Sequence, residues 1–253
     1  MRLYLKFFLT HLNVQLQNRV SFALMCTGQA LLAFSNLFVV LVLVSPLRLI
    51  DGFRLEEILL AGSIVLMSFS LAECFARGFD RFALLLGNGQ FDRMLLQPRN
   101  IVFQVFASTM DFTRLARVGV AAAILTVSLL NVYVTNILLL AAMVVAGTTV
   151  FICLFIIYGS LCFFTTESLE FMNILTDGAR EFGVVPFSFY GKSILRFLTF
   201  VIPMAGFQYY PLLALLGKAP LLSASMLLTC FIFIIPTGLL WHAGRVHYRS
   251  TGS

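Results

Sequence analysis

Charge is what this sequence has least of. Only 11% of its 253 residues are Asp, Glu, Lys or Arg, and 60% are hydrophobic; a soluble domain carries about 25% charged residues. A water-soluble globule is thereby excluded, because so many apolar side chains could not all be buried. Cysteine is sparse and scattered: Cys26, Cys74, Cys153, Cys162 and Cys230 form no CxxC pair and lie in or beside apolar runs. They read as small core residues rather than a disulfide framework or a zinc site. His11, His242 and His247 sit near the two ends and would hold a metal only if the termini met. No GxxxxGK[ST] is present, so ATP cannot be bound through a P-loop. The stretch GNGQFD lacks the preceding strand and third glycine of a dinucleotide site. No Ser or Thr in an apolar run has a His or Lys at helical spacing to activate it. The first residues, MRLYLKFFLTHLNVQLQNR, lack the continuous apolar core and small-residue cleavage site of a signal peptide.

What the chain does have is long apolar runs. A helix crosses the hydrocarbon with roughly 20 apolar residues, and six runs qualify: about 20–44, 58–76, 114–131, 137–164, 194–208 and 221–241. The fold class expected is all-α, a polytopic membrane protein forming one domain over residues 1–253. Residues 1–19 space Leu3, Phe7, Leu12 and Leu16 along one stripe, as in a helix lying at the interface. Ser45-Pro46 ends the first run. The fourth is rich in small residues that let helices approach closely in lipid. The region PMAGFQYYPLLALLGKAP is too broken by Pro and Gly for a straight helix, and such backbone needs protein or water around it at membrane depth. Trp241 is expected as an interface anchor.

The basic residues are unevenly shared. With alternating crossings, one side collects Arg2, Lys6, Arg19, Arg77, Arg81, Arg93, Arg99, Arg114, Arg117, Arg180, Lys192, Arg196, Arg245 and Arg249. The other side collects Arg48, Arg54 and Lys218. Cytoplasmic loops carry the excess of Lys and Arg, so both termini are expected in the cytoplasm. The net charge of +6 then belongs to topology signals and anionic-lipid contacts, not to nucleic-acid binding.

Ionisable groups inside apolar runs are candidates for function. Glu73 lies late in the second run with Arg77 four residues on, a pair on one helical face or a lining of a translocation route. Asp111, Arg114 and Arg117 form a second helical cluster that either anchors the third run or does more. The segment about 77–100, RGFDRFALLLGNGQFDRMLLQPR within it, combines a GNG turn, apolar contacts and a charged face, as suits docking to a soluble partner. The segment 165–193 reads as a second inner loop.

The order of these parts resembles the type-2 ABC-transporter permeases, bacterial branch. The carrying residues are Gly89-Gln90-Phe91-Asp92 with Leu95-Leu96-Gln97-Pro98, and Glu170-Phe171-Met172-Asn173 with Arg180-Glu181-Phe182-Gly183. Tyr209-Tyr210-Pro211 to Leu215-Leu216-Gly217 completes the set. The resemblance implies a permease subunit, not itself an enzyme, in a bacterial inner membrane. Its partners would be two ATP-binding-cassette ATPase subunits, which hold the ATP and Mg, and a second permease, identical or paralogous. It implies a coupling helix facing the ATPase through Gly87, Asn88, Gly89, Phe91, Asp92 and Arg93. A secondary contact would involve Glu170, Asp177, Arg180 and Glu181, and a re-entrant element near the outer face would hold Tyr209, Tyr210 and Pro211. The function expected is export driven by ATP hydrolysis on the partners. The alternative is an ATPase-linked complex that signals rather than transports; a membrane-embedded enzyme would need several Asp, Glu or His at one depth, which the sequence does not offer.

Overall fold

A computed structural model describes residues 2–44, 52–165 and 170–248. Arg48 and Arg249 of the charge tally lie outside these residues. Every element among them is a helix. The chain begins with α1 (Arg2–Gln17) and α2 (Arg19–Val44), then α3 (Leu55–Asp80), α4 (Phe82–Gly87), α5 (Gln90–Leu95) and α6 (Ile101–Ser108). A 3-10 turn at Phe112–Arg114 leads into α7 (Leu115–Asn131), and α8 runs over Ile137–Thr165. Then come α9 (Glu170–Phe182), a 3-10 turn at Phe187–Tyr190, α10 (Lys192–Phe200), α11 (Met204–Phe207) and α12 (Tyr209–Leu215). A 3-10 stretch at Leu221–Met226, α13 (Leu227–Ile232) and α14 (Ile234–His247) make the final crossing.

Side chains set several boundaries. Asn100 accepts from the Val102 amide at 2.9 Å and starts α6; Asn136 accepts from the Leu138 amide at 2.9 Å and starts α8. Each satisfies an amide that a helix start leaves unpaired. Gly89 takes φ +63° between α4 and α5, a left-handed turn that favours glycine and folds the two helices into an elbow.

The long helices surround α3, whose residues from Ile58 to Phe79 are nearly all buried against α7 and α8. Packing there is close enough to need glycine. A Cβ on Gly78 would lie 2.0 Å from the Val105 carbonyl oxygen, so α6 crosses α3 backbone against backbone. By contrast α2 and α14 leave large apolar side chains exposed, Leu24 and Leu31 and then Ile235 and Leu239 among them. Exposed apolar flanks around a buried centre are what lipid, rather than water, permits.

The two ends of the bundle are unalike. Residues 17–19, Asp80, Leu115, Thr165 and His247 mark the end nearest both termini, here the proximal end. Leu55, Asn131, Ile137 and Leu215 mark the distal end. A clamp closes the latter, where the Lys218 ammonium reaches the Glu57 carboxylate and the Gly52 carbonyl and covers the Phe53 ring.

The fifth crossing is not where hydropathy places it. The pair Lys192–Phe200 and Met204–Leu215 is bent by 88°. The chain leaves α8 at the proximal end and enters its last crossing at the distal end, so a single net crossing lies between. Within that stretch α9 lies against α3. The Arg180 guanidinium sits 4.9 Å over the Phe69 ring, the Asn36 amide donates to Glu181 at 2.9 Å, and Val184 packs with Leu37. With α3 rising about 1.5 Å per residue, these contacts carry α9 from the level of Glu73 well into the distal half. Residues 170–182 are therefore helical rather than loop, and Arg180 is a helix cation packed on α3. The Arg180 charge is paired within α9 itself, to Asp177 and Glu181.

α10–α12 form a hairpin bent by 88°. Phe207 packs on Phe151 near mid-depth, while the Leu215 carbonyl accepts from the Thr135 amide at the distal end. Lys192 and Arg196 follow the distal end of α9, so they leave the proximal tally. The asymmetry of basic residues survives in weaker form.

Candidate functional site

Two features carry chemistry at the proximal end: the α4–α5 elbow and a polar cavity behind it.

The elbow is held from beneath by aromatic side chains. Phe82 meets Phe91, Phe163 and Trp241 edge-on at centroid distances of 5.3, 5.0 and 5.3 Å. Phe79 adds a T-shaped contact to Trp241 at 5.3 Å. Edge-to-face contacts of this kind contribute beyond area alone. The cluster fastens the elbow to α3, α8 and α14 together. Trp241 is thus 6% exposed and packed inside the protein rather than anchored at the interface. The chain after α14 closes over the same spot: Tyr248 stacks edge-on against Phe91, and its hydroxyl donates to Asp92 at 2.9 Å. Burial, and then the hydrogen bond to the Asp92 carboxylate, push the Tyr248 phenol up to about 12.

Of the residues assigned to a partner interface, Gly87, Asn88 and Arg93 are exposed, and Gly89 and Asp92 are half-buried. Phe91 is fully buried, so its ring positions the elbow and offers no surface to a partner. The exposed apolar side chains are Leu96 at 86%, which belongs to the expected apolar contacts, and Leu84 at 62%, which the sequence reading passed over.

The cavity behind the elbow has a volume of about 430 Å³ and lies between α3, α7, α8 and α9. At its centre the Glu73 carboxylate accepts from three arginines. Arg77 comes from its own helix, Arg114 approaches at 3.1 Å and Arg117 at 2.8 Å. Arg114 is further fixed by Asp111 at 3.2 Å and by the Gln29 amide oxygen of α2 at 2.9 Å. For Asp111, burial pushes the carboxyl up, but the Thr113 hydroxyl and the Arg114 guanidinium outweigh it and leave it below its ordinary value. From α9, Arg180 pairs with Asp177 at 3.3 Å and with Glu181. Asp177 and Arg180 also line the cavity. Glu170 begins α9, away from these contacts in sequence.

The i,i+4 pair of Glu73 and Arg77 expected from the sequence is present, and so is that of Asp111 with Arg114. What spacing could not reveal is their union through Arg117, which lies 44 residues from Glu73. Tyr209 and Tyr210 open α12 and are half-buried, with Pro211 buried; Tyr209 faces Phe53 at 6.4 Å. Their helix is pinned through Gln208, whose amide donates to the carbonyls of Gly183 at 2.9 Å and Val185 at 3.0 Å. Its oxygen accepts from the Phe187 amide at 3.3 Å. His11 bonds the Ala107 carbonyl, and no cluster of His, Cys, Asp or Glu suited to a metal ion occurs among the described residues.

These features define a multi-pass α-helical membrane protein with a helical elbow at its proximal end and a bent hairpin reaching its distal end. The sequence pattern of the ABC-2 family transporter proteins matches residues 30–252. The chain belongs to that family and is a permease-type membrane component of an ABC transporter. No curated protein and no solved structure matches it.

Proposed function

We propose that this chain is the permease subunit of an exporter, driven by ATP hydrolysis on separate ATPase subunits that dock on the α4–α5 elbow. The single observation that carries this reading is the construction of the elbow. Its outer surface presents Gly87, Asn88, Arg93, Leu84 and Leu96, while Phe82 and Phe91 beneath wedge it against α3, α8 and α14. A push on such an element moves three helices at once. Through Glu73 the motion of α3 reaches α7, and through the Arg180 contact with Phe69 it reaches α9. Gln208 ties α9 to the hairpin at the distal end. A movement begun at the elbow thus has a packed route to the element that closes the far side. Two ATPases and a second permease complete the assembly, with ATP and Mg on the ATPases, in a bacterial inner membrane with both termini cytoplasmic. Outward transport suits a hairpin that closes the end opposite the ATPases.

The test is co-purification of the chain with its ATPase. Arg93 is exposed and has no partner among the described residues, so Arg93→Glu perturbs the surface without touching the core. The expected result is at least about tenfold less ATPase retained, with thermal unfolding unchanged. Retention equal to wild type would remove the elbow from the interface.

A further inference from the structure

The arginine cavity is overbuilt for a structural ion pair. Its wall carries four guanidinium groups, on Arg77, Arg114, Arg117 and Arg180, against the carboxylates of Glu73, Asp80 and Asp177. Arginine stays charged in any protein environment, and although Asp111 and Glu181 also pair with Arg114 and Arg180, three of the four guanidinium groups share the one Glu73 carboxylate. The Arg117 side chain is only 9% exposed, yet it commits a single nitrogen, Nη1, to Glu73. Arg77 likewise uses only Nη1, for Glu73 and Asp80. Nε of Arg77 and Nε of Arg180 are buried without a hydrogen-bond partner, and among the described residues Arg117 makes no hydrogen bond beyond the one to Glu73. Buried donors without partners are costly, and a planar guanidinium fork matches the oxygens of a phosphate. Within membrane depth, such groups mark a site rather than a scaffold.

From these donors we infer that the cavity binds a phosphate oxyanion, seated between Arg77 and Arg117 and closed on the α9 side by Arg180. The phosphate is that of a lipid headgroup or a free phosphate. This rests on the permease reading only in so far as the site would hold cargo; the binding itself needs no ATPase.

The experiment uses the purified full-length chain without ATP. Thermal unfolding in detergent is followed as inorganic phosphate is added, and again in bilayer discs of phosphatidylcholine alone or with phosphatidylglycerol. Wild type should be stabilised saturably by one of these probes. Stabilisation by phosphatidylglycerol but not phosphate names the headgroup as ligand, and the reverse names the free anion. Arg117→Lys keeps a cation beside Glu73 but loses the fork, and Arg180→Gln alters the opposite wall. Each should weaken binding by about tenfold or more, whereas Arg81→Gln, on the exposed proximal surface, should not. Arg117→Lys and Arg180→Gln that unfold near the wild-type temperature yet bind the probe as tightly as wild type overturn the site, as does a wild type that responds to neither probe. Neither result bears on whether an ATPase docks at the elbow, which co-purification reads separately.

Discussion

Arg117 of α7 donates to Glu73 of α3 at 2.8 Å, with both side chains more than nine-tenths buried. This contact, with Arg114 and Arg77 on the same carboxylate, makes Glu73 the counter-ion for three guanidinium groups. Removing one partner of a buried ion pair leaves uncompensated charge and costs about 3–5 kcal/mol. Glu73→Gln should therefore lower stability by about 3 kcal/mol or more, measured by thermal unfolding in detergent. Asp177→Asn provides the contrast. Its side chain is 55% exposed, so its loss should cost less than about 1 kcal/mol. Equal stabilities for Glu73→Gln and wild type would mean the cluster is held by something other than this carboxylate.

Gln208 is fully buried and ties the re-entrant hairpin to the end of α9 through three backbone groups. Replacing it with leucine preserves bulk but strands the Gly183 and Val185 carbonyls and the Phe187 amide. Each stranded group costs about 1–3 kcal/mol. Gln208→Leu should loosen the hairpin locally, seen as faster hydrogen exchange over residues 183–190 while exchange in α3 and α8 stays slow. Unaltered exchange there would show that apolar packing alone positions the hairpin.

How much of this was readable in the sequence differs element by element. The runs behind α2, α3 and α8 were legible because an unbroken apolar stretch of that length has few places to go but a bilayer. The elbow was legible from its GNG turn, since only a residue tolerant of positive φ closes it as Gly89 does. Helix α9 was not legible. Averaged hydropathy scores Asp177, Arg180 and Glu181 as solvated, and cannot see that the Phe69 ring and the two carboxylates hold Arg180 against α3 while Asn36 bonds Glu181. For the same reason the cavity was half visible. Spacings of three and four residues exposed Glu73 with Arg77 and Asp111 with Arg114, but a contact between separate helices has no local signature. Phe91 was misplaced because its neighbours in sequence are exposed while its ring turns inward under Tyr248.

The contact between Tyr248 and Asp92 has a definite pH window. The phenol is raised from 10 to about 12 in the folded chain, so the folded state favours its protonated form. The stability it adds is fully present below pH 10 and is lost as pH rises from about 10 to about 12. Tail docking should therefore be constant across neutral pH and fail only in that alkaline range, followed by proteolysis of the residues after α14. Tyr248→Phe keeps the ring contacts with Phe91 and Phe163 but removes the donor. It should cost about 1 kcal/mol and abolish the alkaline transition. A transition that persists in Tyr248→Phe would have to come from another group.

The course of the fifth crossing has a direct chemical consequence. If α9 crosses and α10–α12 re-enters, Lys192 lies on the same side of the membrane as Lys218, although hydropathy alone puts it with Arg93. All three positions are exposed. The native cysteines Cys74, Cys153, Cys162 and Cys230 are buried, and only Cys26 is partly accessible, so Cys26→Ser gives a quiet background. In that background Lys192→Cys and Lys218→Cys should both react with a membrane-impermeant maleimide applied to one face of sealed vesicles, and Arg93→Cys only when it is applied to the other. Labelling of Lys192→Cys together with Arg93→Cys would return the crossing to residues 194–208 and place α9 outside the bilayer. The half-buried Arg180, set over the Phe69 ring and paired with Asp177 and Glu181, argues for the first result, since a helix in water has no need to bring it inside.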